Sequence, residues 1–189
     1  ELIVSTEWGP VRVFKNSRGS FSEMTEPLGL SGLTGLWQGV ATGDFDADGR
    51  TDIVATNWGL NSELRPNVIN PPRLHYNFSD SAVPTALLLG AWDVRLKKYL
   101  PSRDLPSLFS GYPDLRGAFQ THRAYAEAGV PKLLDYHKSP ANSLTATVLH
   151  SMLFLNRPDG FEAKPLPPEA QLSPAFGVSV GDFDGDGID

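Results

Sequence analysis

Residues 43–52 read Gly-Asp-Phe-Asp-Ala-Asp-Gly-Arg-Thr-Asp. Carboxylates packed this closely repel one another, so a folded loop tolerates them where a cation lies among them or where all of them point into water. The Asp-x-Asp-x-Asp-Gly spacing favours the cation, because alternate residues of a tight loop turn towards one centre and the glycine permits a positive φ. Hard oxygen ligands in this number suit Ca²⁺ better than Zn²⁺ or copper.

We therefore predict a calcium site in this loop, with a solvated acidic turn as the alternative. The predicted ligands are four carboxylates and one backbone carbonyl, those of Asp44, Asp46, Asp48 and Asp52 and that of Arg50. An EF-hand is excluded, because its twelfth position requires a bidentate Glu and is Ala55 here. The run after the loop, residues 53–56, reads Ile-Val-Ala-Thr and predicts a strand, so the loop joins two strands.

Internal repeats extend this pattern over the chain. Three pairs of segments match: 39–46 with 177–184, 13–16 with 153–156, and 5–9 with 55–59. Placed in order, the pieces define a unit of an inner strand, an acidic loop, a second strand and a hairpin of two more strands. Four short strands are the content of a propeller blade, so the repeat predicts an all-β fold, a partial β-propeller of about three blade equivalents.

A second acidic loop begins at residue 182. Its predicted metal ligands are Asp182, Asp184 and Asp186, with Ile188 at the position equivalent to Arg50. We expect weak binding there, because the sequence ends before the ninth position of this loop. By the same repeat Glu1 would be the last ligand of an earlier loop, so we expect the chain to be a fragment. Residues 77–82 keep the polar-Phe-polar start without the carboxylates, and we expect that hairpin to lack a metal.

The repeat is interrupted by a segment that reads as short helices punctuated by prolines. We divide the chain into propeller blades over 1–92, a helical insert over 93–139 and further blades over 140–189. Residues 95–138 contain 8 basic and 4 acidic side chains. This positive charge would either dock an anionic ligand or be solvated on a helical cap that packs on one end of the propeller.

Composition excludes several classes of function. The chain has no cysteine, which rules out disulfides, thiolate metal sites and a Cys nucleophile. Lys and Arg total 16 and Asp and Glu total 22, a net charge of 16 − 22 = −6, which argues against nucleic-acid binding. The longest apolar run, 86–92, is too short to span a membrane. No catalytic constellation stands out, so we expect no enzyme. The four tryptophans would either stack on sugars or pack between blades.

Residues 43–53 and 181–189 resemble FG-GAP/VCBS-type repeats, which are related to the calcium loops of integrin α-subunit propellers. Residues 102–105 and 123–128 resemble the subgroup of secreted bacterial proteins that carry an ASPIC/UnbV domain and are similar to cartilage acidic protein. The resemblance implies a calcium-stabilised β-propeller with a structural metal, made with a signal peptide and located outside the cell, in the periplasm or on the surface. It implies binding or adhesion to an extracellular protein or carbohydrate. The alternatives are a part of a secreted carbohydrate-active enzyme whose catalytic residues lie outside this sequence, and a structural spacer.

Overall fold

The computed structural model describes residues 1–64, 69–76, 87–137, 142–185 and 187. Within these residues the strands are β1 (Leu2–Val4), β2 (Glu7–Gly9), β3 (Arg12–Ser17), β4 (Ser20–Glu23), β5 (Gly35–Leu36), β6 (Val40–Gly43), β7 (Asp52–Ala55), β8 (Arg73–Tyr76), β9 (Leu87–Asp93), β10 (Lys98–Pro101), β11 (Asn142–Thr145), β12 (Met152–Arg157) and β13 (Gly160–Pro165). The helices are α1 (Leu105–Gly111) and α2 (His122–His137). None of the helices in these ranges has the length and apolar character needed to cross a membrane.

The chain folds into two compact units. The first contains Glu1–Val68 and Ala146–Asp189, and the second contains Ile69–Thr145. The second unit therefore lies, in chain order, between β7 and β12 of the first. The division into 1–92, 93–139 and 140–189 stays a prediction.

Two sheets of the first unit repeat the same pairing. One has the order β6-β7-β12-β13 and the other the order β1-β3-β4, all antiparallel. The pairs Ile53↔Phe154 and Asn156↔Phe161 of the first sheet correspond to Leu2↔Phe14 and Asn16↔Phe21 of the second. Segments that match in sequence therefore also pair in the same register. A one-residue slip would turn every apolar side chain to the opposite face, so this register is set by burial.

The core of the first unit lies on the inner face of these strands. β7 is buried along its whole length, and its Ile-Val-Ala run is apolar with two β-branched residues, as expected of a central strand. Phe154 of β12 is fully buried and meets Trp37 edge to face, with 5.6 Å between ring centroids. Trp37 is 2% exposed, so it is a packing residue and is not available to stack on a ligand.

The second unit combines a sheet with both helices. Its strand order is β10-β9-β8-β11, and α1 begins at an N-cap, Asp104, whose carboxylate accepts a hydrogen bond from the Ser107 amide at 2.9 Å. α2 is broken at Gly129, where φ is 68° and a Cβ would lie 2.9 Å from the Tyr99 carbonyl oxygen. Leu108, Leu115 and Leu133 are almost fully buried in the core of this unit.

The described residues are thus mostly β, with four antiparallel sheets and two helices, in agreement with the predicted β fold. Both helices lie within residues 93–139, where the sequence predicts helical structure. Residues 77–82, the predicted metal-free hairpin, lie outside the described residues.

Acid should weaken the pairing of β3 with β4 through one ion pair. Arg12 and Thr25 donate hydrogen bonds to Glu23, the Arg12 contacts being 2.7 and 2.9 Å, and they lower the pKa of Glu23 to about 2 from its usual 4.5. Because the pKa is lower in the folded state, this stabilisation is present above pH 4.5 and is lost as the pH falls towards about 2. We expect Glu23→Gln to reduce the difference in unfolding free energy between neutral and acidic pH, measured by urea denaturation.

Glu26→Gln is the matched control, since Glu26 is an exposed carboxylate a few residues away in the same segment. An unchanged pH dependence in Glu23→Gln would contradict the assignment.

Candidate metal centre

The loop between β6 and β7 is held in shape by hydrogen bonds from its own backbone. The Asp44 carboxylate accepts from the Asp48 amide at 3.1 Å and from the Gly49 amide at 2.8 Å, and the Asp48 carboxylate accepts from the Arg50 amide at 2.9 Å. The backbone turns sharply through positive φ values of 57° at Ala47 and 81° at Gly49. These bonds fix the carboxylates of Asp44 and Asp48 against the backbone of the turn.

Three of the predicted ligands come together in this loop. Asp44, Asp46 and Asp48 each place one carboxylate oxygen so that the three atoms lie within 4.8 Å of one another. Asp44 is half-buried, and the other two residues are exposed. Ca²⁺ takes about six to eight oxygen ligands and accepts carboxylates, carbonyls and water together. The donor set therefore fits calcium, with the remaining positions open to water or backbone oxygens.

Asp52 is not a member of this group of three and has its own hydrogen bonds. Its side chain is completely buried, with 0% exposure. One oxygen accepts a hydrogen bond from the Phe45 amide at 3.0 Å, and the other accepts from the Asn156 amide at 2.7 Å. Arg50 is exposed and contributes its amide to the loop. The roles of Asp52 and of the Arg50 carbonyl as metal ligands stay predictions.

A basic side chain from β12 reaches the acidic loop. Nη1 of Arg157 lies 2.7 Å from Asp46 Oδ2 and 3.2 Å from Asp48 Oδ2, and its Nε lies 3.1 Å from Glu162. The pKa of Arg157 is raised, chiefly by the hydrogen bond to Asp46. The pKa of Glu162 is lowered, first by the hydrogen bond from Lys164 and then by the one from Arg157. Positive charge from a distant part of the chain therefore lies against the predicted metal ligands.

The second acidic loop repeats the backbone pattern of the first. Asp182 accepts hydrogen bonds from the Gly185 amide at 2.7 Å and the Gly187 amide at 2.9 Å, as Asp44 does from two amides of its own loop. Gly185 and Gly187 have positive φ, 77° and 86°, at the positions equivalent to Ala47 and Gly49. Asp182 and Asp184 are both exposed. Asp186 and Ile188 lie outside the described residues, so their role as metal ligands stays a prediction.

Sequence reasoning did not anticipate Arg157, Asn156 or Glu162 at this site. Asn156 belongs to the repeated segment 153–156, which matches 13–16, and this was the available signal. The pairing of β7 with β12 then carries Asn156 to Asp52, although the two residues are 104 positions apart. Arg157 follows directly, and the first repeat has Ser17 at the equivalent position, so the repeat by itself gives no sign of a cation there.

Comparison with known proteins supports a repeat in the first part of the chain. The model of a family described as the FG-GAP-like repeat matches residues 1–55. The match includes β1 to β7 and all of the first acidic loop. No curated protein and no solved structure matches this chain at a significant level.

Removing the buried Asp52 carboxylate should destabilise the protein. Asp52→Ala would leave the Phe45 and Asn156 amides without their acceptor, which we expect to cost about 2–3 kcal/mol in unfolding free energy. Asp52→Asn is the matched control, because one amide oxygen still accepts a hydrogen bond and the loss should be smaller. Chemical denaturation in calcium-free buffer measures both. Equal stability of Asp52→Ala and the wild type would contradict the buried role.

The turn itself offers a paired test. Ala47 adopts a conformation that costs an L-residue about 1 kcal/mol, so Ala47→Gly should stabilise the loop by up to about 0.5 kcal/mol after the entropy of the unfolded chain is subtracted. Gly49 has φ of 81° and open space where a Cβ would lie, so Gly49→Ala should cost about 1 kcal/mol through backbone strain alone. Thermal unfolding should rank Ala47→Gly above the wild type and Gly49→Ala below it; the reverse order would contradict the turn geometry.

Proposed function

We propose that this chain is a calcium-binding β-propeller repeat module in which the metal has a structural role. The observation that carries the proposal is the grouping of Asp44, Asp46 and Asp48, whose carboxylate oxygens lie within 4.8 Å of one another. Calcium bound there would cancel their mutual repulsion and fix the turn between β6 and β7. Asp44, Asp46 and Asp48 would supply carboxylate oxygens, and the Asp52 carboxylate and the Arg50 carbonyl are further candidates.

The sheet order supports a propeller blade. β6, β7, β12 and β13 pair as an antiparallel meander in chain order, which is the arrangement of a four-stranded blade. The β1-β3-β4 sheet has the register of the last three strands of that meander. We infer that the second unit, residues 69–145, is an insertion within the blade that contains the acidic loop, between its second and third strands.

The biological setting follows from the same repeat class. We propose that the module serves extracellular binding or adhesion, with a protein or a carbohydrate as its ligand, and that it has no catalytic activity. A location outside the cell, in the periplasm or on the surface, agrees with a site of this kind, because calcium at millimolar concentration would keep even a weak site occupied. The proposed relation to ASPIC/UnbV-containing proteins rests on the sequence of residues 102–105 and 123–128.

Calcium should raise the melting temperature of this chain. At free calcium about ten times the dissociation constant, binding to the folded state alone should raise the melting temperature by about 3–6 °C. Differential scanning fluorimetry with calcium and then with a chelator measures the shift, and isothermal titration calorimetry gives the affinity. Asp46→Asn removes one donor charge at constant size and should abolish most of the shift.

Asp159→Asn is the matched control, because it makes the same change in the turn between β12 and β13, outside the group of three carboxylates. No calcium-dependent shift at millimolar concentrations, or an equal shift in wild type and Asp46→Asn, would overturn the proposal.

A further inference from the structure

The cation nearest to the acidic group comes from the chain itself. Arg157 contacts both Asp46 and Asp48 through one guanidinium nitrogen, at 2.7 and 3.2 Å. The Arg157 side chain is 32% exposed, and those of the two aspartates are each 28% exposed. Side chains in this range are accessible to water, so the ion pair is screened by salt and its contribution is modest. The contact is nevertheless specific in geometry, because one nitrogen reaches two aspartates.

The sheet places Arg157 at the loop without requiring an arginine there. Phe154 pairs with Ile53, and the Asn156 amide donates to Asp52, so the end of β12 lies beside the acidic turn. In the β1-β3-β4 sheet the same register position is occupied by Ser17, which pairs with Ser20 as Arg157 pairs with Gly160. The strand pairing accepts a short polar side chain at this position, so the guanidinium is not explained by the fold.

A guanidinium and a divalent cation would share the same two carboxylates here. Nη1 of Arg157 hydrogen-bonds Oδ2 of Asp46 and approaches Oδ2 of Asp48, and these belong to the carboxylates that a metal would use. A Ca²⁺ ion bound to these carboxylates would also repel the positively charged guanidinium of Arg157. Calcium binding would therefore weaken the contacts of the guanidinium with the two aspartates.

A second acceptor for Arg157 is already in place. Nε of Arg157 lies 3.1 Å from Glu162, so the side chain stays anchored to β13 when Nη1 leaves the aspartates. Lys164 contacts the other oxygen of Glu162 at 3.1 Å and leaves the first one to Arg157. The side chain thus has one anchor on β13 and one contact that can be exchanged.

We propose that Arg157 is a built-in competitor that sets the calcium affinity of the acidic loop. Without metal it neutralises part of the charge of Asp46 and Asp48 and holds the turn together, and with calcium it keeps only its contact to Glu162. This inference rests on the proposed calcium function. It adds that the loop is tuned to weak binding by a residue outside it.

Calorimetric calcium titration of the whole chain tests the inference. Arg157→Gln should bind calcium about fivefold more tightly than the wild type, the size expected for the loss of one competing ion pair that is about a third exposed. In calcium-free buffer the same variant should have a lower melting temperature, because the aspartates lose their counter-ion. Arg157→Ser is a second variant whose side chain the equivalent strand position already accommodates.

Lys164→Gln is the matched control. It removes the same charge from the same hairpin and also breaks a contact to Glu162, but the Lys164 ion pair is with Glu162 and lies outside the acidic group. Its calcium affinity should stay within about twofold of the wild type, as expected for a screened charge. An equal gain in affinity in Lys164→Gln would show a general effect of net charge and would overturn the specific role of Arg157.

The results separate the inference from the function on which it rests. If both the wild type and Arg157→Gln bind with the same affinity, or if the variant binds more weakly, the calcium function stands and the competitor role is wrong. If the variant binds and the wild type does not, the competitor role holds and the proposed function of the wild-type chain is wrong. If neither the wild type nor any of the variants binds calcium, the competitor role and the proposed calcium function are both wrong.

Discussion

The buried carboxylate of Asp52 is the contact on which the arrangement of the first unit depends. It accepts one hydrogen bond from the Phe45 amide, in the acidic loop, and one from the Asn156 amide, in β12. Its complete burial is tolerated because both oxygens have backbone donors. The carboxylate therefore fixes the acidic loop, the start of β7 and the end of β12 relative to one another.

The opposite ends of these two strands are joined by a similar arrangement of buried amides. The Asn57 amide donates to the Ser151 hydroxyl at 3.1 Å, and Gln171 both accepts from the Ser151 amide and donates to its carbonyl, at 2.8 and 3.0 Å. Buried polar networks that are fully satisfied specify one register, because any slip leaves several groups without partners. β7 and β12 are thus aligned at both ends by side chains. The pairing does not depend on a short connection between them, which is how a unit with its own core can lie between them in the chain.

Sequence predicted the elements that repeat and missed the contacts that do not. The matches of 13–16 with 153–156 and of Glu1 with Asp52 indicate the register that the two sheets share, because strand pairing follows from where apolar residues recur. The spacing of Asp44, Asp46 and Asp48 predicts the acidic turn. The contact of Arg157 with Asp46 has no such signal, since it depends on the hairpin at the end of β12. The buried position of Asp52 is also hidden from a pattern in which every aspartate of the loop looks alike.

These contacts change how the negative charge of the chain is interpreted. The chain has a net charge of −6, and 8 of its 22 acidic residues lie in the two acidic loops. From sequence alone, this clustering suggests that the negative charge reflects the presence of metal sites. In the first loop, however, Asp52 accepts hydrogen bonds from two backbone amides, as Asp44 does, and Asp46 and Asp48 share the guanidinium of Arg157. An acidic motif can thus be answered by hydrogen bonds and by a basic residue about a hundred positions away in the chain. The number of carboxylates in such a loop sets an upper limit on its carboxylate ligands, and the strands packed beside it supply the other partners with which a metal has to share them.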